Sequence, residues 1–212
     1  MINPNQHIFD LIKEGEHQQL DFKFEISDSK KIARTLAAFS NTDGGTLLIG
    51  VKDNGAITGV RSDEEFYMLE AAAQLYCKPS VEFTSKEWSI NGKDVLEVKI
   101  PKSNKKPHSA PDKAGKYMVY VRVEDQNLLA NSILIKVWKQ KKKNRGVYIK
   151  FTNKEKILLE YLENDKQITL RQFKKLAKIP HRTAENILVK LVAINVIEIV
   201  IEESGAFYRL KK

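Results

Sequence analysis

The chain has 212 residues, 42% apolar and 30% charged, enough for one large domain or two small ones, and no stretch approaches the ~18 consecutive apolar residues of a membrane span. Its start, Met1-Ile2-Asn3-Pro4-Asn5, has neither the basic nor the apolar region of a secretory leader, and the single cysteine, Cys77, excludes an intrachain disulfide or a cysteine zinc cluster, so a cytoplasmic protein without a membrane partner is expected. The net charge of +9 is unevenly held: residues 1–138 carry 18 basic and 19 acidic side chains, residues 139–212 carry 18 and 8, and so basic a segment suits either a polyanionic partner or simple solubility.

In chain order, His7 to Lys13 reads as a short helix. Leu20-Asp21-Phe22-Lys23-Phe24 alternates as a half-buried strand does. Ser29 can cap a helix whose Ile32, Leu36 and Phe39 share a face, and Asn41-Thr42-Asp43-Gly44-Gly45 stops it. Thr46 to Val51 is a buried strand. Asp53-Asn54-Gly55 supplies hairpin-turn chemistry before a strand from Ala56 to Val60. A helix from Glu64 to Tyr76 ends before Pro79. Strands are expected at Val81 to Phe83, Glu87 to Ile90, Val95 to Ile100 and Tyr117 to Arg122. Helices and strands follow no regular βαβ rhythm, so the fold class is α+β, a mixed sheet with helices.

A boundary is expected after the apolar run Ile133 to Trp138, giving a first domain over 1–138. Lys139-Gln140-Lys141-Lys142-Lys143-Asn144-Arg145-Gly146 follows, too charged to bury, as a basic linker over 139–150 or the extended basic end of a helix. Residues 151–212 read as a small winged helix-turn-helix domain. Thr152-Asn153-Lys154-Glu155 is a capping box opening a first helix, with Ile157, Leu158, Tyr161 and Leu162 as its stripe. Thr169 to Gln172 repeats the box before a second helix carrying Phe173, Leu176 and Ala177. Ile179-Pro180 forces a turn. Ala184, Ile187, Leu188, Leu191 and Val192 line one face of a third helix, and Val196–Ile201, Ser204-Gly205 and Phe207–Leu210 make a closing hairpin.

In helix-turn-helix proteins the helix after the turn enters the major groove with its N-terminal residues toward the bases. Here its outer face offers His181, Arg182, Thr183, Asn186 and Lys190, which can donate to phosphates or base edges. Lys174, Lys175 and Lys178, with Arg209, Lys211, Lys212 and the linker's Lys141, Lys142 and Lys143, can reach backbone phosphates, each contact adding salt dependence. The alternative for the same module is protein interaction or dimerisation.

Several segments of the first domain together resemble the Schlafen/AlbA-type DNA-binding domain, frequent in bacterial regulators and sometimes labelled ATP-binding. They are Glu16 to Lys23, the block from Ala37 to Val51, Asp53-Asn54-Gly55 and Gly59, Lys106-Pro107-His108, and Tyr120-Val121-Arg122. The resemblance spans roughly 7–135. Within the block, Gly44 and Gly45 read either as a tight connection or as a phosphate-facing loop. No G-x-x-x-x-G-K-[ST] sequence supports a P-loop. Schlafen-type nucleases use three acids to hold a metal and cleave RNA, and the resemblance places Glu16, Asp21 and Asp53 at those positions, with Asp21 where the family pattern has Glu. The turn and solvent readings of the same acids stay open.

His108 is expected on a surface loop, and Arg122 is either an ion-pair partner or a phosphate ligand. No cofactor or metal motif appears: His7, His17, His108 and His181 are scattered, and no G-x-S-x-G elbow is present. The expectation is a non-enzymatic, homodimeric transcriptional regulator that binds duplex DNA through the winged helix. RNA is a possible partner under the metal-dependent RNase alternative.

Overall fold

The computed structural model describes residues 5–60, 64–142 and 150–211. Its contacts divide the chain into Met1–Leu129 and Ala130–Lys212.

The first unit is built around one helix. Asp28, not Ser29, is the cap of α2 (Ser29–Asn41): its carboxylate accepts from the Lys30 amide, leaving Ser29 as the first helical residue. Ile32, Ala33, Leu36, Ala37, Ala38 and Phe39 are all buried, far more than one stripe, because the alanines let neighbours close in from several sides. α2 is the crossover joining β1 (Leu20–Lys23) to β2 (Gly45–Ile49), which pair in parallel and therefore need such a connection. β4 (Lys93–Ile100) lies antiparallel to β2, and β3 (Thr84–Ile90) makes a hairpin with β4, giving the order β1-β2-β4-β3.

Both faces of this mixed sheet are covered. Leu47 and Ile49 point to α2 and α3 (Glu64–Gln74), while Leu48 points to the opposite cluster with Phe22, Val95 and Ile8 of α1 (Gln6–Glu14). A second sheet, β5 (Ser109–Pro111), β6 (Tyr117–Val123) and β7 (Gln126–Leu129), packs on α2 through β6. Residues 56–60 and 81–83 do not form strands; the first contributes only the bridge Val51–Ile57, and β3 starts at Thr84. The turn at Asp53-Asn54-Gly55 forms as read, with the Gly55 amide donating to the Lys52 carbonyl at 2.8 Å.

The second unit opens with α4 (Ser132–Lys142), capped by the Asn131 side chain, which accepts from the Leu134 amide. Ile133 and Val137 belong to the core made by the following helices, so the apolar run read as closing the first domain starts the second unit instead. Local pattern shows that these residues bury but not against what. Lys141 and Lys142 are therefore exposed helical residues, while Lys143, Asn144, Arg145, Gly146 and Lys212 lie outside the described residues. Both capping boxes form, at Thr152/Glu155 for α5 (Asn153–Asn164) and Thr169/Gln172 for α6 (Leu170–Leu176). α7 (His181–Ala193) follows Pro180, and β8 (Ile197–Glu202) and β9 (Gly205–Leu210) form the closing hairpin. Phe173, Leu188 and Tyr208 are fully buried among them. Among the described residues no helix is long and apolar enough to cross a membrane.

Gly44 joins α2 to β2 at φ +76°, where an added Cβ would lie 2.7 Å from the Ile100 carbonyl oxygen and 2.9 Å from the Lys102 nitrogen. Gly44→Ala is expected to cost about 1–3 kcal/mol, read as a lower urea midpoint with an unchanged denaturant slope.

Candidate functional site

β1 carries the most unusual chemistry of the first unit. Asp21 is 3% exposed, although the alternating pattern placed it on the solvent face. Its partner is Arg122 of β6, also buried, whose Nη2 donates to Asp21 Oδ1 at 3.1 Å. The same nitrogen reaches the carbonyls of Leu20 at 3.3 Å and His17 at 3.4 Å, Nη1 reaches Asn127 Oδ1 at 3.4 Å, and the guanidinium lies 5.0 Å from the Phe39 ring centroid. Arg122 Nε has no hydrogen-bond partner, and Lys23 Nζ stands 2.9 Å from Asp21 Oδ2 as an ion pair. Arg122 is thus an ion-pair partner inside the fold.

Glu16 sits at the edge of this cluster. Its Oε1 accepts from the Phe22 amide at 2.8 Å, and Lys23 Nζ is 3.9 Å away. Burial pushes its carboxyl above the ordinary value, and the neighbouring Asp21 carboxylate adds to the rise. Asp53 does not join the pair: it is exposed in the turn after β2. Among the described residues no three His, Cys, Asp or Glu side chains are grouped so that they could hold a metal ion. The nuclease trio is therefore brought together only in part: Glu16 and Asp21 are neighbours, Asp21 is paired with Arg122, and Asp53 stands apart in the turn after β2.

The glycine pair serves packing. The Gly44 amide donates to the Phe39 carbonyl at 2.9 Å and the Thr46 amide to the Gln19 carbonyl at 2.8 Å, while Gly45 pairs with Ile100 and a Cβ on it would strike the Phe39 ring at 2.5 Å. Amides used in this way do not form the open cradle a phosphate needs, so the phosphate-loop reading gives way to the tight connection.

His108 is 2% exposed, not a surface residue. Its Nδ1 donates to the Pro79 carbonyl at 2.9 Å, and Nε2 lies 2.7 Å from Ser103 Oγ. The backbone around it is clamped by Asn41, whose Oδ1 accepts from the His108 amide and whose Nδ2 donates to the carbonyls of His108 and Tyr120, each at 2.8 Å. Burial holds the imidazole below its ordinary value, with the nearby Lys106 and Lys105 charges adding to the effect.

On the second unit, His181, Arg182, Asn186 and Lys190 are exposed on α7, with Thr183 half-buried between them. Lys174, Lys175 and Lys178 are exposed on and just after α6. Glu185, the acid of α7, turns inward: its carboxylate accepts from Ser132 at 2.8 Å and pairs with Lys136 of α4, which holds it below the usual carboxylate range. The outer face of α7 is left without an exposed acid. Arg209 is exposed but its Nε donates to Glu198 on the neighbouring strand, so its charge is already partnered. Sequence reasoning passed over Glu185, and its only signal there was a charged residue between apolar positions.

The family described as Schlafen, AlbA_2 matches residues 16–131. The chain belongs to the Schlafen, AlbA_2 family. The matched span begins at Glu16 and takes in Asp21, Arg122, Asn41 and His108, so the buried polar clusters lie within the Schlafen/AlbA_2 region. Among solved structures, the DIP2311 protein from Corynebacterium diphtheriae is 17% identical at a TM-score of 0.44, the match covering 89% of this chain and 34% of that one. The present chain thus spans about a third of that protein's length. The solution structure of the N-terminal domain of a RecG-related protein from Nitrosomonas europaea is 22% identical at a TM-score of 0.40, covering 59% of this chain and 95% of that one. No curated protein matches the chain.

Two outcomes are expected. Asp21→Asn leaves Arg122 buried without its counter-charge and is expected to cost about 3–5 kcal/mol, while the double change Asp21→Leu/Arg122→Met costs less than Asp21→Leu and Arg122→Met summed; urea melts of the parent and these four variants measure it. Because the His108 value is lowered in the fold, the unfolded chain binds the extra proton between 6.5 and that lower value, so stability is present above 6.5 and declines as pH falls through the window. The urea midpoint should therefore drop with pH below 6.5, and His108→Gln should flatten that part of the profile.

Proposed function

We propose that this protein is a nucleic-acid-binding regulator of transcription that contacts duplex DNA through α7. Membership of the Schlafen, AlbA_2 family suggests an association with nucleic acid, and the observation that carries the finer reading is the outer face of α7. That face presents His181, Arg182, Asn186 and Lys190 while the helix's own acid is buried against α4. Side chains of these types can make bidentate contacts to guanine and adenine edges, and no exposed carboxylate on the helix opposes a phosphate backbone.

Three helices followed by a hairpin, α5 to β9, support a winged helix-turn-helix in which α7 is the recognition helix and β8–β9 the wing. Residues 151–212 then form the DNA-binding module, preceded by α4 and the basic residues after it. Lys174, Lys175 and Lys178 would sit over the phosphate backbone; Arg209, held by Glu198, ranks behind them. A homodimer fits this reading because two half-sites multiply affinity, and a reduced, buried Cys77 fits a cytoplasmic setting. The Schlafen/AlbA_2 domain would supply the dimer contact or a second nucleic-acid surface.

The full chain is expected to bind duplex DNA with affinity falling steeply between ~50 and ~200 mM salt. Arg182→Glu should weaken binding by at least about 1–3 kcal/mol, measured by fluorescence anisotropy. Equal affinity for the variant and the parent would remove α7 from the interface.

A further inference from the structure

A cleft of about 270 Å³ opens in the second unit between the start of α5 and the outer face of α7. Thr183, Asn186 and Lys190 line it from α7, spaced so that they share one side of the helix. Lys150 and Lys154 line it from the segment that enters α5 and from that helix's first turn.

The charges in this cleft are unbalanced. Lys150, Lys154 and Lys190 are all exposed, and among the described residues none of the three forms an ion pair. Glu155 is the acid that lines the cleft, but it is 8% exposed and closes the capping box: its Oε2 accepts from the Thr152 amide at 2.9 Å and from the Thr152 hydroxyl. Its charge is thereby turned to the helix start. Three ammonium groups around one concave surface, with an amide and a hydroxyl side chain beside them, repel one another until an anion joins them. The lysines bring point charges with rotatable donors rather than a planar fork, which suits a phosphate oxygen.

We propose that this cleft holds a backbone phosphodiester of the nucleic acid, clamped between Lys150 and Lys154 on one side and Lys190 on the other. The inference rests on the reading of α7 as the contact helix and extends that surface to the start of α5. It also divides the labour on α7. His181 and Arg182 at its N-terminal end face the bases, whereas Lys190, two turns later, belongs to the phosphate clamp. Binding energy from the clamp is independent of sequence, because a phosphate carries no base identity.

The test uses the full chain and two duplexes of unrelated sequence, followed by fluorescence anisotropy across a salt titration. Lys150→Gln/Lys154→Gln is expected to lower affinity by the same factor on both duplexes and to flatten the slope of log affinity against log salt by up to about 1, the share of the one phosphate that loses its neutralisation. Both changes are on exposed side chains, and an unchanged thermal melt shows that the fold is intact; Lys150→Arg/Lys154→Arg should restore most of the affinity. Unchanged affinity and slope in the Gln variant, with Arg182→Glu still impaired, would overturn the clamp and leave the α7 reading standing. Absence of duplex binding by the parent chain would overturn both. Binding of inorganic phosphate at the cleft, lost in the Gln variant but without any displacement of duplex beyond that of equal ionic strength of chloride, would show a pocket for free phosphate and also overturn the clamp.

Discussion

The first unit depends on the buried pair of Asp21 and Arg122. An arginine cannot shed its charge inside a protein, so its place on β6 requires a carboxylate and carbonyl oxygens to meet it. Asp21 and the carbonyls of His17 and Leu20 do so, and the ring of Phe39 covers the guanidinium. Through this one side chain the second sheet is fixed to the edge of the first and to α2. Neighbouring polar contacts reinforce the register: Gln18 Nε2 donates to the Arg122 carbonyl, the Glu124 amide donates to Gln18 Oε1, and Asn127 Nδ2 donates to Thr35 Oγ1. A pair of this kind adds less to stability than an apolar replacement of equal volume can, but it penalises any arrangement that separates β1 from β6.

The same arrangement bears on chemistry. An acid neutralised by a buried arginine is poorly placed to hold a divalent cation, and its neighbour Glu16 has a raised carboxyl value that further disfavours the doubly ionised state. Among the described residues of the first unit no three His, Cys, Asp or Glu side chains are grouped for a metal ion, and Asp53 stands apart, exposed in the turn after β2. The unit's polar groups join elements to one another. Asn41 does the same on the other side of α2, tying the helix end to His108 and Tyr120.

In the second unit polar groups are sorted differently. Two acids of this basic segment, Glu155 and Glu185, are drawn into a helix cap and a helix–helix contact. Burial of these carboxylates, as much as the number of lysines, makes the surface from α5 to α7 basic. Composition alone gave the sign of the charge in this part of the chain, and the packing of α4 on α7 gave its distribution.

What the sequence by itself determined was local. The capping boxes at Thr152 and Thr169, the turn at Asp53 to Gly55, the buried run of β2 and the stripe of α7 all arise from residues within one or two turns of each other, so spacing and side-chain chemistry suffice to read them. The family resemblance was legible for the same reason, in contiguous blocks. What only the tertiary structure decided involves partners far apart in the chain. Asp21 looks like the solvent side of an alternating strand until Arg122, 101 residues later, is placed beside it. His108 looks like a loop residue until Asn41, 67 residues earlier, takes its backbone. The run from Ile133 to Trp138 reads as an ending until α7 supplies the surface that it covers. Apolar periodicity states that a face is buried; which face meets it, and which charges are enclosed with it, is set by contacts that no local pattern encodes.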